Sequence, residues 1–219
     1  NNPKIVLIAG EPSGDMLGAS LMRAIKKRKS NISFHGVGGR MMQEEELSCF
    51  FGVEKLSVMG FFEVIVQFLS IRKRLHEVIK NIEEIKPDVV VTIDFPGFNF
   101  ILGRRLKKKN KHIKVVHYVA PTVWAWKKGR AKKLKFLDHL MALFPFEPVH
   151  FTRHGINCTF AGHPVIETHP DAANKDSFIE KHQIKGNETV FVLLPGSRMG
   201  ELKRHLPIFL KMLEVLGQT

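Results

Sequence analysis

Short runs rich in apolar and β-branched residues recur along the chain, at 5–9, 32–37, 89–93, 113–119, 140–143 and 190–194. A further short strand and turn is expected at 159–163. Several of these runs lead through a polar turn into residues spaced as one face of a helix. Leu17, Leu21, Ala24 and Ile25 follow the first, and Phe98, Ile101, Leu102 and Leu106 follow 89–93. Leu202, Leu206, Phe209, Leu210 and Leu213 follow 190–194. Ile71, Leu75, Val78, Ile79, Ile82 and Ile85 mark a helix that leads into 89–93, and a short helix is expected at 41–46. A run that is apolar throughout suits a strand buried on both faces, as in a parallel sheet. The pattern predicts an α/β protein, a Rossmann-like parallel sheet with helices on both faces.

The turns after two strands carry candidate chemistry. Asp94 stands where the strand 89–93 should end, before Pro96-Gly97 and a helical pattern. Ligands of open α/β sheets bind beyond the carboxyl ends of the strands, so a carboxylate there is placed for chemistry. It is equally a turn former or helix cap by residue preference. The loop Gly10-Glu11-Pro12-Ser13-Gly14-Asp15 follows the first strand. It lacks the three spaced glycines of a dinucleotide fingerprint. Glu11, Ser13 and Asp15 suit hydroxyl or amide recognition, or Ser13 or Asp15 simply caps the next helix. Both tryptophans, Trp124 and Trp126, and the only tyrosine, Tyr118, lie within nine residues after another strand. Their planes could stack a sugar, contact acyl chains or anchor the loop on the core. His163 could face a ligand, though a structural histidine is the commoner case.

Residues 58–74 break the pattern. Phe61, Phe62, Ile65, Val66 and Leu69 belong to a stretch that is apolar nearly all round, followed by Arg72, Lys73 and Arg74. It is too short to span a bilayer. A segment dipping into one leaflet, with cations against anionic head groups, fits this order. So does a buried core helix or a dimer face.

Charge narrows the choice of partners. The 219 residues are 44% hydrophobic and 25% charged, with 34 Lys and Arg against 21 Asp and Glu, a net charge of +13. So basic a surface expects an anionic partner: nucleic acid, membrane or phosphorylated substrate. Nucleic acid is disfavoured, since the lysines scatter over helix ends without an aromatic-interleaved motif. Cys49 and Cys158 show no metal spacing and read as reduced thiols of a cytosolic protein. No signal peptide is expected, because the start runs straight into a strand. Residues 167–175 hold Pro170, polar groups and no apolar period. They divide a domain at 1–166 from a second α/β domain at 176–219, which stops after about one strand and one helix, too little to cover its own sheet.

The order of these motifs carries a resemblance. Ala9-Gly10-Glu11-Pro12-Ser13-Gly14-Asp15, Val58-Met59-Gly60, Ile93-Asp94-Phe95-Pro96-Gly97-Phe98-Asn99, His117 through Trp126, Gly162-His163-Pro164 and Leu193-Leu194-Pro195-Gly196-Ser197-Arg198 follow one another along the chain. Together they resemble the lipid-A-disaccharide synthase family over essentially the whole sequence. The resemblance implies a GT-B type glycosyltransferase whose second Rossmann-like domain is truncated here. It implies an inverting β-1,6 transfer of 2,3-diacylglucosamine from UDP to 2,3-diacylglucosamine 1-phosphate, with no cofactor and no metal. Asp94 then becomes the general base. Glu11, Ser13, Gly14, Asp15, Asn99, Trp124 and Trp126 become substrate contacts, and Gly196, Ser197 and Arg198 hold the UDP diphosphate. The expected place is cytoplasmic, peripheral on the inner face of the inner membrane, bound to its anionic surface. A homodimer stays open, as does a truncated, non-catalytic fragment or a basic lipid- or nucleic-acid-binding module.

Overall fold

The structure is a computed structural model that describes residues 2–57, 64–125, 128–168, 174–186, 188–196 and 199–217, with the backbone alone at 55, 57, 64–70, 128, 167 and 168. The chain divides into two compact units, Asn1–Thr168 and His169–Thr219.

The first unit is a seven-stranded sheet in the order β3-β2-β1-β4-β5-β6-β7, parallel throughout. Its strands are β1 (Lys4–Ala9), β2 (Ser33–Gly38), β3 (Leu47–Gly52), β4 (Val89–Ile93), β5 (Lys114–Tyr118), β6 (His139–Ala142) and β7 (Cys158–Phe160). The helices are α1 (Pro12–Arg28), α2 (Arg40–Glu44), α3 (Glu54–Ser57), α4 (Val64–Ile85), α5 (Pro96–Lys109) and α6 (Val149–Thr152). Turns of 3₁₀ helix run over Lys128–Leu134 and Pro164–Thr168.

Side chains alternate between the two faces of a strand, so each apolar run serves two cores. Val6, Ile8 and Val90 pack with Leu75, Val78, Ile79 and Ile82 of α4 and Phe98, Leu102 and Leu106 of α5. Ile5, Leu7, Ala9, Val91 and Ile93 pack on the other side with Leu17, Ala19 and Met22 of α1. A third cluster joins Val115, Leu140 and Ala142 to Ala131, Leu134 and Phe151. The expected Rossmann-like sheet, covered on both faces, is therefore the observed one. Among the described residues, no helix is long and apolar enough to cross a membrane.

Two elements differ from the sequence reading. Strand β3 was not foreseen: between its buried Leu47 and Phe51 stand exposed Ser48 and half-buried Cys49 and Phe50, and it sits at the sheet edge. The run 190–194, expected as a buried strand, forms no strand, and Val192 and Leu194 are exposed. A parallel strand needs a partner for its ladder and cover for both faces. The second unit has neither among its described residues, which form only α7 (Lys175–Lys181) and α8 (Met199–Leu216). Asn174 caps α7, its Oδ1 accepting from the N–H groups of Asp176 and Ser177 at 2.9 and 3.2 Å.

The apolar stretch before α4 is only partly visible. Phe61 and Phe62 lie outside the described residues, as do the side chains of Ile65, Val66 and Leu69. Of the three cations that follow, Arg72 and Lys73 are exposed. Arg74 is not a free cation: it pairs with Glu77 at 2.7 Å and lies over the Phe51 ring at 5.1 Å. The one-turn spacing to Glu77 and the nearby edge strand draw it inward.

Candidate active site

The strand order reverses between β1 and β4, because β1 continues to β2 on one side while the chain resumes at β4 on the other. Such a switch point opens a crevice beyond the carboxyl ends of the strands. The two loops that meet there are 10–15 and 94–99, since Ala9 and Ile93 are register partners. Their contact is close: a Cβ built on Gly10 would run into the Phe95 ring. Only a residue without a side chain lets the two loops touch in this way.

Asp94 ends β4 in an unusual conformation. Its φ is 48° and that of Phe95 is 46°, two consecutive left-handed residues without a glycine. Each such residue costs on the order of 1–3 kcal/mol and persists only where its surroundings dictate it. Here the Asp94 N–H donates to the Tyr118 carbonyl at 2.9 Å. The Asn99 side-chain amide donates to the carbonyls of Asp94 and Ile93, at 2.8 and 3.2 Å. Thus the turn is clamped from β5 and from the first turns of α5, and Asp94 is left half-buried at the carboxyl end of β4.

The clamp changes how two of the expected substrate contacts are read. Asn99 is 1% exposed; its Nδ2 donates to backbone carbonyls and so positions Asp94, while its Oδ1 is buried without a hydrogen-bond partner. Asp15 is 5% exposed, and its carboxylate accepts from the N–H groups of Gly39, Met42 and Met41 at 2.7, 3.1 and 3.0 Å. It caps the start of α2 from a distance and ties the first loop to the second. Short polar side chains serve such caps and turns as readily as they serve ligands. Ser13 stands exposed in the first turn of α1, Gly14 is buried, and Glu11 is half-buried at the N-cap position. The start of α1 therefore points its free N–H groups beside Ser13, where they favour an electron-rich ligand atom.

Beside β4 the same edge continues through β5 and β6, whose ends are joined by the Val119 N–H donating to the Met141 carbonyl at 3.0 Å. Trp124 follows β5 and stands edge-on to Phe146, with ring centroids 5.2 Å apart and planes at 83°. Phe144 and Phe146 lie nearly parallel at 5.6 Å. Sequence reasoning found Trp124 but missed what holds it. Glu147, 2% exposed, accepts from the Trp124 indole N–H at 3.4 Å and from the N–H groups of Leu143 and Phe144 at 3.1 and 3.0 Å. The signal available was a single acid within an aromatic, proline-rich turn, Phe144-Pro145-Phe146-Glu147-Pro148.

Two histidines have structural roles. His117 is buried in β5, with Nδ1 2.7 Å from the Thr92 hydroxyl and its ring 4.8 Å from Phe100. Burial pushes its pKa down to about 3, so it is neutral near neutral pH. The His163 Nδ1 accepts from the Val165 N–H at 3.1 Å and braces the turn after β7.

In the second unit Gly196 has φ +105°. The start of a helix as long as α8 offers N–H groups and a favourable dipole to an anion. Ser197 and Arg198 lie outside the described residues, as does Trp126.

Comparison with known proteins agrees with this architecture. The solved UDP-GlcNAc 2-epimerase of Neisseria meningitidis bound to UDP-GlcNAc superposes with a TM-score of 0.54 at 14% identity, over 83% of this chain and 50% of that one. That likeness concerns the fold, of GT-B type. Much closer in sequence is the lipid-A-disaccharide synthase of Rhodospirillum centenum, 46% identical over 97% of this chain and 54% of the relative. That of Ruegeria pomeroyi is 42% identical over 94% of this chain and 51% of the relative. The chain thus spans about half the length of the curated relatives it matches. Its residues 5–219 match the family model described as lipid-A-disaccharide synthetase, and the chain belongs to that family.

Proposed function

We propose that this chain carries the acceptor side of a glycosyltransferase of lipid A assembly. The reaction joins UDP-2,3-diacylglucosamine to 2,3-diacylglucosamine 1-phosphate through an inverted β-1,6 linkage and releases UDP. Residues 1–166 serve as the acceptor and membrane domain, 167–175 as a linker, and 176–219 as the start of the UDP-sugar domain. One observation carries the reading: a carboxylate held in a strained turn at the switch-point crevice of a family member. Asp94 takes the proton from the attacking 6-hydroxyl, while Ser13 and the start of α1 orient the acceptor. Gly196, Ser197 and Arg198 hold the diphosphate, where a guanidinium fork suits two phosphate oxygens. The enzyme works at the cytoplasmic face of the inner membrane, held by the segment 58–74 and by exposed cations.

Asp94→Asn, assayed for glycosyl transfer in the full gene product, should keep its melting point and lose about 10²–10⁴-fold in rate. A well-folded variant with near-normal turnover would remove Asp94 from the base role. The second reading is a fragment that binds the acceptor without turnover. It is favoured by the described residues of the second unit, which contain no strand. Release of UDP by the chain on its own would exclude it.

A further inference from the structure

We propose that Trp124, Phe144 and Phe146 form a platform for an acyl chain of the glycolipid substrate, with Glu147 as the residue that positions it. The inference rests on the lipid A reading above and extends it to the part of the substrate that does not react.

The three rings are 38%, 44% and 48% exposed, unusual for large aromatic side chains gathered in one place. They form a corner, one wall from the parallel phenylalanines and the other from the indole standing edge-on. The indole N–H is the one polar side-chain group among them, and it is turned inward onto Glu147. The exposed surface of the rings is therefore hydrocarbon. A sugar ring stacked there would look for polar partners for its hydroxyls, which these side chains do not offer; an acyl chain needs none.

Position supports the same occupant. Backbone bonds from Asp94 to Tyr118 and from Val119 to Met141 run along the carboxyl edge from β4 to β6. Adjacent strands lie about 4.8 Å apart, which sets the β6 loop roughly 10 Å from Asp94, within the span of one acylated sugar.

Glu147 links the two sides of the corner. One oxygen receives the indole, and the other receives the two N–H groups that shape the Phe144 turn. Without it the indole and the phenylalanines have no common anchor.

The experiment measures binding of 2,3-diacylglucosamine 1-phosphates of increasing acyl length to the chain by calorimetry, below the aggregation threshold of each. Affinity should rise about two-fold per methylene, roughly half the free-energy increment of full burial, because the rings are half-exposed. Phe146→Ser and Trp124→Ala should flatten that dependence with unchanged melting points, while Asp94→Asn should keep it. Glu147→Gln should weaken the dependence yet leave the shortest homologue bound as before. If that variant fails to fold, Trp124→Phe, which deletes the indole N–H and keeps an aromatic ring, takes its place with the same expectation. An unchanged chain-length dependence in the folded ring variants overturns the platform. So does a parallel loss of pelleting with anionic phospholipid vesicles, which would make the rings a general membrane surface. No binding of any homologue by the unaltered chain would instead overturn the lipid A reading beneath it.

Discussion

Replacing Asn99 by aspartate should cost more stability than replacing it by alanine, and the difference should close in acid. The amide of Asn99 donates to two carbonyl oxygens, of Asp94 at 2.8 Å and Ile93 at 3.2 Å, from a site only 1% exposed. Asn99→Ala removes the donor and leaves the carbonyls short of a partner, a loss of about 1–3 kcal/mol. In a unit of this size each kcal/mol shifts the melting point by about 2–4 °C. Asn99→Asp keeps the shape and reverses the chemistry, turning an ionised carboxylate toward two carbonyl dipoles. An uncompensated buried charge costs about 3–5 kcal/mol. The introduced carboxyl must therefore have a folded pKa raised above its unfolded value of about 3.9. Its penalty is complete above the folded pKa, shrinks as pH falls through it, and is gone below the unfolded pKa. Once protonated, it can donate to the Asp94 carbonyl as the amide did. Thermal melts of both variants between about pH 7 and about pH 4 should show their curves converging. Equal stability of Asn99→Asp and the unaltered chain at neutral pH would mean that the amide does not hold this turn. The account of the strained Asp94 would then lose its support.

Further outcomes rest on the buried His117 and on the sequence. His117 stays neutral down to about pH 3 when folded. The unfolded chain takes up that proton near pH 6.5, so stability should fall between these values, by at most ~1.4 kcal/mol per pH unit. His117→Phe should flatten that slope in acid denaturation; an identical slope would place the proton uptake elsewhere. Arg198→Lys should not restore the UDP affinity lost in Arg198→Ala, because lysine lacks the planar fork; calorimetry giving one affinity for all three forms would exclude the contact. Serine at Phe62, Ile65, Val66 and Leu69 should release the protein from liposomes without changing its melting point. Unfolding of that variant would assign those side chains to the core.

The strands and helix faces were legible because each central run, such as Ile5-Val6-Leu7-Ile8-Ala9, is apolar at every position and serves two cores. The place of Asp94 was legible for a related reason, since an abrupt change from β-branched residues to Asp-Phe-Pro-Gly marks a strand end. What the side chains do with their hydrogen bonds was not. Asn99 and Asp15 look like ligand groups in sequence, and only the fold shows the Asn99 Nδ2 and the Asp15 carboxylate bonded to backbone. Glu147 was hidden for the converse reason: its partners come from two loops brought together by the β5–β6 pairing. The run 190–194 was misread because strand character depends on a neighbour that local pattern does not supply.

The central position of β1 has a consequence for synthesis. Its hydrogen-bonding edges are completed by β2, which follows soon after, and by β4, which comes only after α4. While the ribosome is still producing the intervening chain, one edge of β1 stands open beside an apolar surface that α4 and α5 will later cover. Such an edge invites pairing with other chains. The loop 10–15 likewise exists before the loop 94–99 that completes the crevice. Joining of β4 to β1 thus closes the aggregation-prone edge and brings the two loops together in a single event, so a nascent chain gains solubility and the Asp94 turn its neighbour at once.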